Sequence, residues 1–218
     1  MKKNILTLAL LTSLSASALA HQGGDFVVRA GLTNVNPDSS KAAVLLDGAD
    51  SGLKVSVEDN TQLGLNFVYF YDTNWAVEVL AATPFKHDIK LHAGNDVTTL
   101  AETSHLPPTI SALYYFNSDS AIKPYVGAGI NYTIFFKDNF TKTYQDAGFS
   151  DLDLSSSFGY ALQVGADYEI DKNWSLNASA RYIDISTDAT FNVGGTTKGK
   201  ATVDIDPVVF SLMVGYKF

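Results

Sequence analysis

The closing stretch of this chain, residues 208–218, alternates strictly between two kinds of side chain. Its even positions are large and apolar: Val208, Phe210, Leu212, Val214, Tyr216 and Phe218. The odd positions are smaller or more polar on balance, which predicts a β-strand with one apolar face. At the end of a soluble chain this strand would expose both that face and an unpaired edge. A closed transmembrane β-barrel resolves both problems, because lipid covers the face and the first strand pairs with the edge. The last strand of a soluble sandwich is the alternative.

The first twenty positions have the pattern of an export signal. Lys2 and Lys3 precede an apolar run at residues 5–14, and Ala18, Leu19 and Ala20 form a small-residue cleavage site. We therefore expect a signal peptide at residues 1–20 and one domain at residues 21–218. The run is too short for a membrane-spanning helix. The chain has no cysteine, which excludes a disulfide scaffold, and its formal net charge of −8 argues against nucleic acid as a partner.

Eight segments carry the same alternation as the closing stretch. They are residues 25–35, a segment ending at Tyr71, and residues 75–81, 108–116, 122–136, 158–170, 174–182 and 208–218. Long polar connections at about 36–54, 87–106, 137–153 and 187–202 alternate with short turns at 72–74, 117–121 and 171–173. This pattern predicts an all-β fold, an eight-stranded antiparallel up-and-down transmembrane β-barrel. Both termini then lie on the short-turn side, which is periplasmic in outer-membrane barrels.

Aromatic residues collect near both ends of the predicted strands. Those beside the short turns are Tyr69, Tyr71, Trp75, Tyr114, Phe116, Tyr168, Trp174, Tyr216 and Phe218. Those toward the long connections are Tyr132, Phe135, Phe136, Phe158, Tyr160 and Tyr182. Two such girdles are expected at the two membrane interfaces. A soluble lipocalin-like barrel would turn its apolar face inward, and strand parity alone leaves that open. The girdles and the signal peptide favour lipid on the outside.

An ordered set of motifs resembles the OmpW family of small outer-membrane barrels. The motifs are residues 60–65 (NTQLGL), 78–85 (EVLAATPF), 105–109 (HLPPT), 123–132 (KPYVGAGINY), 150–154 (SDLDL) and the end of the chain from Asp206. The resemblance implies an eight-stranded barrel in the outer membrane of a Gram-negative bacterium. It also implies a narrow, mostly apolar channel for small hydrophobic molecules, which leave across the membrane or sideways into it.

The resemblance also suggests partners. Lipid and lipopolysaccharide would surround the barrel, the barrel-assembly machinery would recognise the C-terminal strand, and bacteriocins bind some members. A non-conducting barrel that serves a structural, adhesion or receptor role is the alternative.

The candidate channel-lining residues are the inward positions Arg29, Glu78, Leu80, Asp167 and Arg181. As the resemblance implies, a Leu on the third strand and a Trp on the seventh narrow the interior. Leu80 matches the Leu, whereas the Trp position holds Arg181. An inward arginine needs a carboxylate partner, and Glu78, Asp167 and Glu169 are the candidates. Together with Lys217, these charges either neutralise one another and fill the lumen or line a selective channel.

Other chemistry finds little support in the sequence. No histidine falls on a predicted strand and no G-x-S-x-G motif occurs, so we expect no enzyme and no cofactor. His21, His87, His92 and His105 are expected to be solvated loop residues rather than metal ligands. Acidic residues in the long loops predict either a solvated surface or cation bridges to lipopolysaccharide. Pro84, Pro107 and Pro108 cannot donate ladder hydrogen bonds, so they either end strands or mark a gap in the wall.

Overall fold

The computed structural model describes residues 21–38 and 40–218, so the predicted signal peptide lies outside the described residues. In chain order the elements are β1 (Phe26–Asn36), β2 (Ala42–Leu46), β3 (Ala49–Val57), β4 (Asn60–Phe70), β5 (Trp75–Ala82), β6 (Phe85–Ala93), β7 (Asp96–Leu106), β8 (Thr109–Tyr115), β9 (Ile122–Phe140), α1 (Lys142–Asp146), β10 (Phe149–Leu154), β11 (Ser157–Glu169), β12 (Trp174–Ile183), β13 (Ser186–Val193), β14 (Thr197–Asp204) and β15 (Val208–Lys217). In this described part, α1 is too short to cross a membrane, and no other helix is present.

Eight of these strands close into an antiparallel barrel. Its strands are, in spatial order, β1, β4, β5, β8, β9, β11, β12 and β15, and β15 returns to pair with β1. The closing seam places Leu212 opposite Leu32, and the Phe218 N–H donates to the Phe26 carbonyl at 2.9 Å. The predicted eight-stranded barrel is confirmed, and the closing strand has no free edge along this seam.

The two faces of the barrel wall follow the predicted parity. On β15, Phe210 and Leu212 are 51% and 64% exposed, whereas Val209 and Met213 on the opposite face are buried. Apolar side chains outside and a filled interior are what a barrel surrounded by lipid requires. Phe135 departs from the prediction: it faces the interior, and so it is not part of an outer girdle.

The four long connections are not irregular loops, which corrects the sequence-based prediction. They form the hairpins β2–β3, β6–β7 and β13–β14, and a fourth excursion through the end of β9, α1 and β10. These strands pair in the order β10-β13-β14-β2-β3-β6-β7-β9. We call this sheet the extension. The alternation that predicts strands continues here among more polar residues: Phe85, Ile89 and Leu91 on β6 are buried, while Lys86 is exposed.

One part of the barrel wall lacks ladder pairing. The pairing of β5 with β8 stops at Leu80 and Thr109, and pairing resumes between β6 and β7 at Phe85 and His105. Among the described residues, no pairing joins residues 81–84 to residues 106–108. All three prolines of the sequence-based prediction lie in these two segments. At about 3.3 Å per residue the interruption spans roughly 15 Å of wall.

Candidate functional site

All five candidate lining residues lie in the barrel interior. Their side chains are almost completely buried, with residue exposures of 0% for Arg29, 1% for Glu78, 4% for Leu80, 1% for Asp167 and 2% for Arg181. Alternation on β1, β5, β11 and β12 turns each of them inward. The four charged residues form one connected network, whereas Leu80 stands apart from it at the last ladder position before the wall interruption.

Glu78 accepts hydrogen bonds from two arginines and two amides. Its Oε2 receives Arg29 Nη1 at 3.3 Å, and its Oε1 receives Arg181 Nη2. Asn66 Nδ2 donates to Oε2 at 2.9 Å, and Gln163 Nε2 donates to Oε1 at 3.1 Å. Glu78 is thus the carboxylate that the inward Arg181 contacts, and Gln163 Oε1 also accepts from Arg181 Nε at 2.6 Å.

Asp167 is the second anionic centre of the network. Its Oδ2 accepts from Arg29 Nη2 at 2.6 Å and from the Tyr115 hydroxyl at 2.9 Å, and its Oδ1 accepts from Asn177 Nδ2 at 2.9 Å. The Arg29 guanidinium carbon also lies 5.6 Å from the centre of the Tyr125 ring, a cation–π contact. Two arginines therefore face two carboxylates, and their formal charges cancel. The network spans the interior between β1, β5, β11 and β12.

Between the network and the short turns the interior holds a cluster of apolar and aromatic side chains. These buried side chains are Val27, Val68, Phe70, Ala76, Leu113, Tyr115 and Tyr125. His21 stacks on Phe70 at 3.9 Å between ring centres and covers this cluster at the N-terminal end of the domain. The other predicted inward charges form separate pairs: Lys217 with Asp25 at 3.3 Å, and Glu169 with Lys123 at 3.8 Å.

The extension encloses an apolar cavity of about 40 Å³. Its walls come from seven strands of the extension and from Ile205, which follows β14. The lining residues are Val55, Val57, His87, Ile89, Leu100, Ala101, Thr103, His105, Phe135, Phe140, Leu152, Leu154, Thr187, Ala189, Phe191, Ala201, Val203 and Ile205. No lining residue carries a formal charge at neutral pH, so the lining matches an apolar guest. A cavity that holds one benzene ring measures about 150 Å³, so a guest of that size requires the lining side chains to move apart.

Two histidines line this cavity, His87 and His105, in contrast to the solvated positions expected for them. His87 and His105 are 1% and 4% exposed, and His21 is also buried, so the prediction of solvated loop histidines was wrong for these three. The His87 and His105 rings stack in parallel, with centres 4.8 Å apart and an interplanar angle of 2°. Within the described residues, no group of three or more His, Cys, Asp or Glu side chains could hold a metal ion.

Burial makes both imidazoles poor bases. Burial, and to a smaller extent the neighbouring His87, lower the pKa of His105 to about 3. Burial also lowers the pKa of His87, against the opposing effect of its bond to the Glu58 carbonyl. Both rings lie in the extension, beyond the barrel strands, and both are neutral at physiological pH. A neutral stacked pair is compatible with the apolar walls around it.

Sequence and structure comparisons both match this chain to outer-membrane proteins of one family. The model of the OmpW family matches residues 22–218. Outer membrane protein W of Vibrio cholerae is 46% identical over 222 residues, which cover 100% of both chains. The crystal structure of the outer membrane protein OprG from Pseudomonas aeruginosa is similar with a TM-score of 0.86 and 40% identity, covering 91% of this chain and 98% of that one.

Proposed function

Because this chain belongs to the OmpW family of outer-membrane β-barrel proteins, we propose that it admits small apolar molecules into the cavity of the extension and releases them sideways into the membrane. The exit is the interrupted wall at residues 81–84 and 106–108. In this proposal the extension lies outside the cell and both termini are periplasmic, as in barrels whose short turns face the periplasm.

One observation carries the proposal: the cavity and the wall interruption lie together on one side of the charged network. Glu78 precedes Leu80 by two positions on β5, and the interruption begins directly after Leu80. An apolar guest moving further along the bore would have to separate buried ion pairs, which costs about 3–5 kcal/mol for each broken pair. A sideways exit avoids this cost, because the guest passes from one apolar environment to another.

The candidate lining residues then divide into two roles. Arg29, Glu78, Asp167 and Arg181 close the bore rather than line a conducting path. Leu80 lies at the boundary, where an apolar side chain turns the guest toward the wall. A more distant relative, 27% identical over 87% of both chains, is named the dibenzothiophene metabolism operon protein PahQ of Pseudomonas aeruginosa. An apolar aromatic compound in that name supports the class of guest proposed here.

The proposal is tested by comparing uptake with ion conductance. Cells that lack the protein should take up small apolar compounds such as toluene more slowly than cells that carry it, and the wild-type gene should restore the rate. In planar bilayers the purified protein should leave the ion conductance near that of the bare bilayer. Unchanged uptake would instead indicate a structural or adhesion barrel, and a steady ion current through the wild-type protein would contradict the closed bore.

A further inference from the structure

Two nitrogen atoms in the cavity wall have no hydrogen-bond partner among the residues that the structure describes. Both Nε2 of His87 and Nε2 of His105 are buried and unpaired, although their rings line the apolar cavity. Leaving a buried polar atom unpaired costs about 1–3 kcal/mol. Two such atoms in stacked rings at one cavity therefore require an explanation.

The tautomer of His87 follows from its neighbour. Its Nδ1 lies 2.5 Å from the carbonyl oxygen of Glu58. A carbonyl oxygen only accepts, so Nδ1 carries the proton and donates it. In the neutral ring Nε2 is then a bare lone pair, which is a hydrogen-bond acceptor without a donor.

The position of the pair places it next to the proposed exit. Phe85 and His105 form the first ladder pair beyond the wall interruption, and His87 follows two positions later on the same hairpin. Phe85 stacks on His105 with ring centres 5.5 Å apart, and Phe135 contacts the His105 ring at 5.8 Å. A guest between the cavity and the gap therefore passes the two imidazoles.

We propose that the stacked imidazoles of His87 and His105 form a hydrogen-bonding subsite, which selects apolar molecules that carry one uncharged donor such as a hydroxyl. This inference rests on the proposed uptake function and names the class of guest. Phenol places its O–H against Nε2 of His87 and its ring in the cavity, which has to widen from about 40 Å³ toward the roughly 150 Å³ that one benzene ring occupies. A hydrocarbon contacts the same cavity walls but leaves the lone pair of His87 Nε2 without a hydrogen-bond donor.

The same chemistry excludes charged analogues. A carboxylate only accepts hydrogen bonds, so it cannot bond to the His87 lone pair, which is also an acceptor. It would in addition lose its hydration in the apolar cavity. The order of affinity should therefore be hydroxyl compound first, hydrocarbon second and carboxylate last. Phenol, toluene and benzoate form a matched series, because they share one ring and differ in the attached group.

The test uses refolded protein in lipid nanodiscs with ¹⁵N-labelled histidine. Phenol should shift the ¹⁵N resonance of His87 Nε2, and it should bind about tenfold more tightly than toluene after correction for partition into empty nanodiscs, as one hydrogen bond of typical strength implies. The variant H87F keeps an aromatic ring stacked against His105 but has no acceptor nitrogen. Its affinity for phenol should be about tenfold lower than that of the wild type, and its affinity for toluene should be unchanged. H87Q places an acceptor near the Nε2 position and should restore part of the preference.

His92 provides the matched control. It lies on the same strand, but its Nε2 is paired with the Ser56 hydroxyl at 2.8 Å, so H92F should bind all three compounds as the wild type does. Equal affinity of the wild type for phenol and toluene, or unchanged phenol binding in both H87F and H105F, would overturn the subsite. If toluene binding and cellular uptake persist in that case, the proposed function stands without it. Absence of binding for both compounds together with normal uptake in deletion cells overturns both.

Discussion

Glu78 is the carboxylate on which the interior network converges, and the loss of its charge gives the sharpest test of that network. Its four donors are Arg29, Arg181, Asn66 and Gln163. Glu78→Gln keeps the size of the side chain and removes its charge. Arg29 and Arg181 then face the single carboxylate of Asp167, so one positive charge stays uncompensated in the barrel interior.

The expected loss of stability is large. Removing one partner of a buried ion pair costs about 3–5 kcal/mol, because the other charge remains buried. We expect Glu78→Gln to lower the free energy of unfolding by that amount. Arg181→Met should have a similar effect, since it leaves two carboxylates around Arg29. The double variant restores neutrality with Arg29 and Asp167 alone, so its loss should fall short of the sum by up to about 3 kcal/mol.

The assay is urea unfolding of the refolded protein in lipid vesicles, followed by the fluorescence of Trp75 and Trp174. The control is Glu102→Gln, which removes the exposed pair between Glu102 and Lys86 and should cost less than about 1 kcal/mol. Single effects that add to within about 0.5 kcal/mol would show that the buried charges act independently, and the account of a neutral network would be wrong.

Three further predictions follow from the interior. Arg181→Ala should raise ion conductance in planar bilayers, because it removes the contacts of this side chain with the network; a current equal to that of the wild type would exclude Arg181 from closing the bore. Gly165→Ala should lower the free energy of unfolding by about 1–3 kcal/mol, because a Cβ there would lie 2.5 Å from the Tyr125 ring and hydroxyl; a neutral effect in the urea assay would refute this close approach. The free energy of opening of the β6–β7 hairpin, taken from hydrogen-exchange protection factors after division by the intrinsic exchange rate at each pH, should fall as the pH falls from about 6.5 toward 3, because the open state takes up the proton that folded His105, with a pKa of about 3, does not; the slope is at most about 1.4 kcal/mol per pH unit, and it should shrink in His105→Phe.

The barrel itself could be predicted because its signal is strong and local. On β15 every second side chain is bulky, and this alternation can be recognised from the residues of the strand alone. Leu80 and Arg181 could be assigned to the interior for the same reason. The partners of Arg181 could only be narrowed to three carboxylates, because the choice of Glu78 depends on the stagger between β5 and β12, which are not neighbours in the wall.

The histidines were assigned wrongly because the extension hairpins are more polar than the barrel strands. Residues 85–91 do alternate: Phe85, His87, Ile89 and Leu91 face inward, with Lys86 and its even-numbered neighbours between them. Long polar connections are usually loops, and this general rule outweighed a four-residue pattern. Because His87 lies on the same face as Phe85, Ile89 and Leu91, this alternation was the signal that could have predicted a buried histidine.

The resemblance to the OmpW family implies a Trp at the position that Arg181 occupies, and the contacts of this arginine lie in one half of the barrel. Arg181 contacts Glu78 and Gln163, on the short-turn side of the interruption that begins after Leu80. An arginine there adds a second cation to Glu78, so the network balances two charges of each sign across the bore. In the described part of the chain, its hydrogen bonds and ion pair go to Gln163 and Glu78, neither of which lines the extension cavity. If the proposed function holds, Arg181 therefore acts on the closure of the bore and leaves the sideways route for apolar molecules unchanged.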